Sequence, residues 1–118
     1  MKRDLDLVRA ILLDVEARGT PLDLIDPQVE GYNELEVSYH VMLLEDAGLI
    51  RAMDRTAIGI FRWSAGALTW RGHELVEFLR DDGLWDSAKG DVISAAEGGL
   101  PFDVLQDRLR ELIARRLG

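Results

Sequence analysis

The sequence contains no cysteine, which excludes disulfide bonds and any chemistry that needs a thiolate. No apolar run approaches the length of a membrane-spanning helix, about 18 residues. The N-terminal stretch MKRDLDLVRA lacks the apolar core of a secretory signal peptide. Together these absences predict a soluble cytoplasmic protein.

Positive charge is also scarce: 14 lysines and arginines stand against 22 aspartates and glutamates, so the formal net charge is −8. The deficit is concentrated, because residues 19–50 carry seven acidic side chains and no lysine or arginine. Residues 51–72, by contrast, carry four arginines and one aspartate. A freestanding DNA-binding protein is usually basic, since phosphate contacts supply most of its non-specific affinity. The overall balance therefore counts against nucleic acid as the default partner.

Proline is rare, but two of the three prolines fall in the segment Thr20–Gly31. A standard helix-turn-helix would place its second helix here. Proline disfavours helix at its own position and at the residue before it. We therefore predict a short strand and a turn, with one short helical turn as the alternative.

The segment Asn33–Ile50 organises the chain. Its apolar side chains recur at helical spacing, at Val37, Val41 and Leu44. Asn33 suits the helix N-cap, and Gly48 suits the C-cap because glycine accepts left-handed backbone. An extended apolar run then begins at Leu49. Helix, glycine stop and strand follow in this order where a winged helix-turn-helix protein passes from its recognition helix into its wing.

Similar patterns predict the neighbouring elements. Apolar stripes predict helices over Asp4–Arg18 and Thr69–Asp82. Between the central helix and Thr69 we expect a wing with one strand from Leu49 and a second over Ile58–Trp63. Gly59 is expected to form a turn or a bulge. A loop is expected at Ser64–Gly66, and the chain then returns to the sheet at Ala67–Thr69. A last helix is expected to begin near Pro101, since proline suits a first helical turn.

These elements predict an α+β fold that is mostly helical. Residues 1–82 are expected to form a winged helix-turn-helix-like domain with a small β-wing. Residues 83–118 are expected to form a C-terminal helical extension that packs on this domain or on a second copy. Its last helix has the spacing of a short coiled-coil seam that would pair two copies. The candidate seam residues are Phe102, Leu105, Leu109 and Leu112.

The outward side of the predicted central helix offers no arginine or lysine, the residues that most often read base edges in the major groove. Aromatic residues and methionine are enriched in the cores of protein interfaces. We interpret this side as a protein-docking surface; the alternative is a solvated charged face without a partner. The candidate partner-binding residues are Glu34, Ser38, Tyr39, Met42, Glu45 and Asp46.

The arginines of the predicted wing have two interpretations. In one, they contact a DNA backbone. In the other, they pair with aspartate and glutamate across the sheet, where exposed pairs stabilise little. These arginines are Arg51, Arg55, Arg62 and Arg71.

Residues suited to catalysis are sparse. His40 and His73 lie in separate predicted helices, and His40 is most simply a packing residue. His73 and Glu77 share a helix face, but Glu77 stands where a zinc-protease motif has its second histidine. The serines lack the setting of a nucleophile elbow. We therefore predict no catalytic residue, no metal site, no cofactor and no enzymatic activity.

Blocks of sequence over nearly the whole chain carry a family resemblance. They are MKRDLDLVR at 1–9, EGY at 30–32, YHVMLLEDAGLI at 39–50, LTWRGHE at 68–74, RDDGLW at 80–85 and GGLPFDVL at 98–105. In combination they resemble a family of small bacterial and prophage proteins of unknown function. The resemblance implies a winged-helix-like domain with a C-terminal helical extension, and it supplies no ligand or catalytic residue.

Three functional hypotheses follow. The first is a non-enzymatic winged-helix module, a phage, prophage or bacterial regulator or inhibitor, that docks on another protein through its acidic helix. The second is a dimeric winged-helix transcriptional regulator that contacts DNA mainly with its basic wing. The third is an adaptor whose C-terminal helix, Phe102–Leu117, pairs two copies and nothing else.

Overall fold

The computed structural model describes residues 1–80, 82–83, 85–86, 107 and 111. The chain forms two compact units, Met1–Val76 and Glu77–Gly118. The predicted seam residues Phe102, Leu105, Leu109 and Leu112 lie outside the described residues, and the division at 82/83 stays a prediction.

Five elements build the described part of the chain. They are the helices α1 (Leu5–Arg18), α2 (Glu34–Asp46) and α3 (Trp70–Leu79), and the strands β1 (Ile50–Asp54) and β2 (Trp63–Leu68). The predicted α+β class is confirmed. Within the described ranges, no helix has the length and hydropathy of a membrane span.

Helix α1 begins at an aspartate that caps it. The Asp4 carboxylate accepts hydrogen bonds from the amides of Asp6 and Leu7 at 3.0 and 3.1 Å, which satisfies donors that a first helical turn leaves free. The buried stripe consists of Leu7, Ile11, Leu12 and Val15. The predicted helix over Asp4–Arg18 is confirmed.

The segment Thr20–Gly31 is extended and ends in a turn. Ile25 exchanges two backbone hydrogen bonds with Ala65 of β2, at 2.7 and 2.8 Å, so it adds a single strand residue beside β2. Gly31 turns the chain with a φ of 89°, which glycine adopts without steric cost. The predicted turn is confirmed, the predicted strand is reduced to the one bridge residue Ile25, and the alternative helical turn does not form.

Helix α2 has the caps that its sequence predicts. The Asn33 side chain accepts a hydrogen bond from the Glu36 amide at 2.8 Å, and the Glu36 carboxylate accepts one from the Asn33 amide at 3.3 Å. This reciprocal capping box satisfies two free donors. Gly48 follows the helix with a φ of 74°, so the predicted glycine stop is confirmed.

Strands β1 and β2 form an antiparallel hairpin in which Ile50 lies opposite Leu68 and Asp54 lies opposite Trp63. Gly59 lies in a turn, one of its two predicted alternatives. The predicted strand over Ile58–Trp63 is wrong, because β2 begins only at Trp63. The predicted loop at Ser64–Gly66 is wrong, because these residues lie inside β2. The backbone of Arg51 packs closely against Gly66, where a Cβ would lie 3.2 Å from the Arg51 carbonyl oxygen.

One threonine joins the start of α3 to the end of α2. The Thr69 hydroxyl accepts a hydrogen bond from the Gly72 amide at 3.1 Å and donates to the Gly48 carbonyl at 2.6 Å. The Thr69 amide donates to the Leu49 carbonyl at 3.0 Å. Gly72 then lies so close that a Cβ there would overlap the Leu49 carbonyl oxygen.

We expect Gly72→Ala to lower the free energy of unfolding by about 1–3 kcal/mol, because the added methyl meets backbone rather than a side chain that can rotate away. Urea denaturation followed by circular dichroism measures this change. The control is His73→Ala at an exposed position of the same helix, where we expect a change within about 0.5 kcal/mol. Equal stability of the two variants would contradict the close approach.

Candidate functional site

A hydrogen-bond network around Asp4 positions α2. The Asp4 amide donates to His40 Nε2 at 2.8 Å, and the Tyr32 hydroxyl donates to Asp4 Oδ2 at 2.8 Å. His40 is 2% exposed, and its Nδ1 lies 2.8 Å from the Glu36 carbonyl oxygen. Because Nε2 accepts, the neutral ring carries its hydrogen on Nδ1. His40 is therefore a packing residue, as predicted, with both ring nitrogens hydrogen-bonded.

This network also changes the chemistry of Tyr32. The hydrogen bond to the Asp4 carboxylate raises the pKa of Tyr32 to about 12, and burial and nearby negative charge add to the effect. A neutral hydroxyl can donate to a carboxylate, whereas a phenolate cannot. The neutral form therefore holds the backbone that enters α2 at Asn33.

Helix α2 has a wider buried side than its apolar stripe predicts. The buried residues are Val37, Ser38, His40, Val41 and Leu44. Ser38 is 8% exposed, and its hydroxyl accepts a hydrogen bond from the Trp63 amide at 3.3 Å. The predicted outward position of Ser38 is therefore wrong. Contacts with α1 and with both strands bury a broader arc than one stripe occupies.

The opposite side of α2 remains accessible and is partly apolar. We call it the outer face and define it by Leu35, Tyr39, Met42 and Asp46. Leu35 is 50% exposed, Tyr39 and Met42 are partly exposed, and Asp46 is exposed. Leu35 was not among the predicted partner-binding residues, although its spacing to Tyr39 and Met42 is that of one helix face.

Two glutamates border the outer face. Glu34 is exposed in the first turn of α2, and Glu45 is partly buried in the last turn. Among the described residues, the Glu45 Oε2 atom is buried without a hydrogen-bond partner. A buried acceptor that lacks a donor lowers stability. This oxygen of Glu45 therefore forgoes a hydrogen bond in the described fold.

The four predicted wing arginines have different surroundings. Arg62 lies 2.5 Å from the Asp26 carboxylate, so the predicted pairing with acidic residues holds for this arginine. Arg71 is a partly buried residue of α3. Arg51 and Arg55 have exposed side chains on the hairpin.

Asp26 anchors the extended segment to the hairpin. Hydrogen bonds from Arg62 and from the Ser64 hydroxyl hold the pKa of Asp26 below its ordinary value, and the positive charge of Arg55 contributes. Both ion-pair side chains are nearly half exposed, at 45% and 48%. Solvent therefore screens the pair, which orients the segment more than it stabilises the fold.

The tip of the hairpin is a closed turn with exposed apolar side chains. Ala57 and Ile60 exchange two backbone hydrogen bonds at 3.1 and 2.9 Å, and the loop between them is Ile58-Gly59. Ile58 has a φ of 52°, a conformation that strains a β-branched residue, and it is 100% exposed. Ile60 is 66% exposed. Sequence pattern assigned Ile58 to a strand, and only its pairing with Gly59 in a two-residue turn signals this position.

An open groove of about 690 Å³ lies between the extended segment and the start of α2. Its lining includes the buried side chains of Pro27 and Val37 and the partly buried Val29. Glu30 and Glu34 stand at its exposed rim. The exposed lining of the groove is thus mixed, and its rim is negatively charged.

In the described part of the chain, no three or more histidine, cysteine, aspartate or glutamate side chains come together in one group. His73 and Glu77 are both exposed residues of α3.

Comparisons with known proteins place the chain among relatives. The family described as "Hypothetical protein (DUF2513)" matches residues 2–98. The chain is also similar to an "Uncharacterized protein" of Haemophilus influenzae, which is 37% identical over 121 residues that cover 99% of each chain. No solved structure matches. The predicted resemblance to a family of unknown function is confirmed.

The Tyr32–Asp4 hydrogen bond generates a prediction about alkaline pH. In a Tyr39→Phe variant, Tyr32 is the sole tyrosine, and we expect its phenolate absorbance to appear with a midpoint near pH 12. The stability from this bond is complete below the ordinary tyrosine pKa, about 10, and is lost as pH rises through 12. Adding Asp4→Asn should lower the midpoint. An unchanged midpoint would contradict the role of Asp4.

Proposed function

The chain belongs to the DUF2513 family, and we propose that it is a non-enzymatic, winged-helix-like module that docks on another protein through the outer face of α2. The observation that carries the proposal is the composition of this face. Tyrosine, methionine and leucine are accessible there, and the nearest charges are carboxylates.

The order of elements supports a winged-helix-like fold. Helix α1, the strand residue Ile25, helix α2 and the β1–β2 hairpin follow one another along the chain. In this reading α2 takes the place of the recognition helix and the hairpin takes the place of the wing. The extended segment Thr20–Gly31 replaces the helix that would otherwise precede α2.

The chemistry of the outer face favours a protein over DNA. Residues 19–50 contain no lysine or arginine, so α2 offers no cation to neutralise phosphate. Accessible aromatic and methionine side chains at the centre with charge at the edge match the composition of protein interfaces. The carboxylates favour a partner that presents lysine or arginine around an apolar centre.

Glu45 adds a second argument for such a partner. Its buried Oε2 atom accepts no hydrogen bond in the described residues, which disfavours burial of this carboxylate oxygen. A salt bridge with a lysine or arginine of the partner would give this oxygen a hydrogen-bond donor. A regulator or inhibitor of phage, prophage or bacterial origin that covers a basic surface of its target fits this chemistry.

The test changes two residues of the outer face and is designed to leave helix α2 folded. Met42→Lys combined with Asp46→Lys introduces two good helix formers, and lysine near the C-terminus of α2 suits the helix dipole. We expect affinity for the captured partner to fall at least about tenfold. Affinity capture from a bacterial lysate with quantitative mass spectrometry identifies the partner, and titration with the purified partner measures the affinity.

The chain offers a matched control in Leu22→Lys combined with Asp23→Lys. Both positions are exposed and lie outside α2, and the charge change is the same. This control should bind the partner like the unmodified protein. Full binding by the Met42/Asp46 variant, or equal losses in both variants, would overturn docking through α2.

A second candidate is a dimeric transcriptional regulator that contacts DNA mainly through the hairpin. The observation that favours it is the exposure of Arg51 and Arg55 on this element.

For this candidate we expect binding to genomic DNA fragments at low salt. Each of Arg51→Ala and Arg55→Ala should reduce the dependence of log affinity on log salt by about 1. Fluorescence anisotropy over a salt series measures both quantities, with Arg18→Ala on α1 as the control. Absence of binding at the lowest salt would rule this candidate out.

A further inference from the structure

We propose that the contact between His40 and the start of α1 is sensitive to protons. When the His40 ring takes up a proton, it loses its hydrogen bond with the Asp4 amide, so the attachment of α2 to α1 depends on pH. The inference concerns how α2 is held and is independent of what its outer face binds.

The contacts of the His40 ring fit only its neutral form. Nε2 lies 2.8 Å from the Asp4 amide nitrogen, and Nδ1 lies 2.8 Å from the Glu36 carbonyl oxygen. A backbone amide donates and a carbonyl accepts, so the ring accepts at Nε2 and donates at Nδ1. A protonated ring carries a hydrogen on both nitrogens, and its Nε2–H then faces the N–H of Asp4. Because His40 is only 2% exposed, solvent does not relieve this conflict.

The Asp4 carboxylate gives the protonated ring a different partner. This carboxylate accepts from the Tyr32 hydroxyl and from the first turn of α1, and a charged imidazole attracts it. The Asp4 amide faces Nε2, so a hydrogen bond from the charged ring to the carboxylate requires the Asp4 backbone to turn. Proton uptake therefore disturbs the amide contact, the cap of α1 and the Tyr32 hydrogen bond together.

Among the groups around this network, the His40 ring is the one suited to respond near neutral pH. Histidine is the side chain that ordinarily changes charge between about pH 8 and pH 5. Strand β2 contains no charged residue, and the charged residues of β1 are exposed. The titratable groups next to the ring or its partners are Asp4, Asp6, Tyr32, Glu36 and Tyr39.

The contact weakens as pH falls, because the neutral ring is the form that makes it. It is complete where the ring is neutral and is lost through the range in which histidine gains a proton, about pH 8 to pH 5. Opening of the contact takes up one proton, so its equilibrium constant rises by up to about tenfold per pH unit. Acid thus loosens the start of α1 from the first half of α2.

The first experiment uses His40→Gln in the full chain. Glutamine does not titrate, and its side-chain carbonyl oxygen can accept from the Asp4 amide in place of Nε2. The matched control is His73→Gln, which changes the other histidine of the chain at an exposed position of α3. Amide hydrogen exchange followed by NMR at about pH 8 and about pH 5 measures protection factors in each protein.

The informative amides are those of Asp4 and of Val8, which donates to the Asp4 carbonyl. In the unmodified protein and in His73→Gln, we expect their protection factors to fall at least about tenfold at the lower pH. The Ala65 amide, which pairs with Ile25 in the sheet, should keep its protection. His40→Gln should keep the protection of all three amides.

A second variant separates the His40 ring from the Asp4 carboxylate. Asp4→Asn retains the backbone amide and a good N-cap side chain but removes the carboxylate. The loss of protection in acid should persist in this variant, because a protonated ring still cannot accept from the amide.

A measurement on the unmodified protein needs no variant to fold. Nitrogen-15 NMR of the His40 ring should show the hydrogen on Nδ1 at about pH 8 and on both nitrogens at about pH 5.

Any of three results would overturn the proposal. The first is an equal loss of protection in His40→Gln and in the unmodified protein, which would locate the acid-sensitive group elsewhere. The second is unchanged protection of the Asp4 amide in the unmodified protein. The third is a His40 ring that carries its hydrogen on Nε2 at about pH 8. The second and third decide the matter even where His40→Gln does not fold, and neither bears on docking through the outer face.

Discussion

The hydrogen bonds of Asp4 are the constraint on which the position of α2 depends. Its carboxylate caps α1 and accepts from Tyr32, and its amide donates to His40. One residue thus joins the start of α1, the chain entering α2 and the buried side of α2. Partly buried charge-assisted hydrogen bonds of this kind are strong and directional. They determine which side of α2 faces the core and which side faces solvent.

The buried side and the outer face of α2 differ in what their side chains contact. The buried side is selected by packing, and Ser38 belongs to it because a backbone amide of β2 supplies its hydrogen bond. The outer face has no such partner in the described residues, yet it keeps Leu35, Tyr39 and Met42 accessible. We propose that a partner protein covers these accessible side chains. The acidic border favours a partner surface that carries positive charge.

The extended segment Thr20–Gly31 affects both the hairpin and the surroundings of α2. Its pairing with β2 through Ile25 and its ion pair from Asp26 to Arg62 hold it beside the hairpin. Because no helix occupies this segment, the space next to the start of α2 is an open groove. The extended segment therefore alters the support of α2 and leaves this groove open beside it.

The sequence by itself determined α1, both caps of α2, the hairpin turn at Gly59 and the extended segment, because local steric preference and hydrogen-bonding side chains decide these features within a few residues. It also determined the acidic and basic stretches, which are properties of composition. Only the tertiary structure decided that Ser64–Gly66 is a strand, that Ser38 is buried and that Asp4, Tyr32 and His40 meet. A run of small residues is compatible with a loop and with a closely packed strand, and the neighbouring segments decide which of the two forms. The positions of the groove, the strained Ile58 and the unpartnered Glu45 oxygen likewise depend on contacts between residues far apart in the chain, which local pattern does not encode.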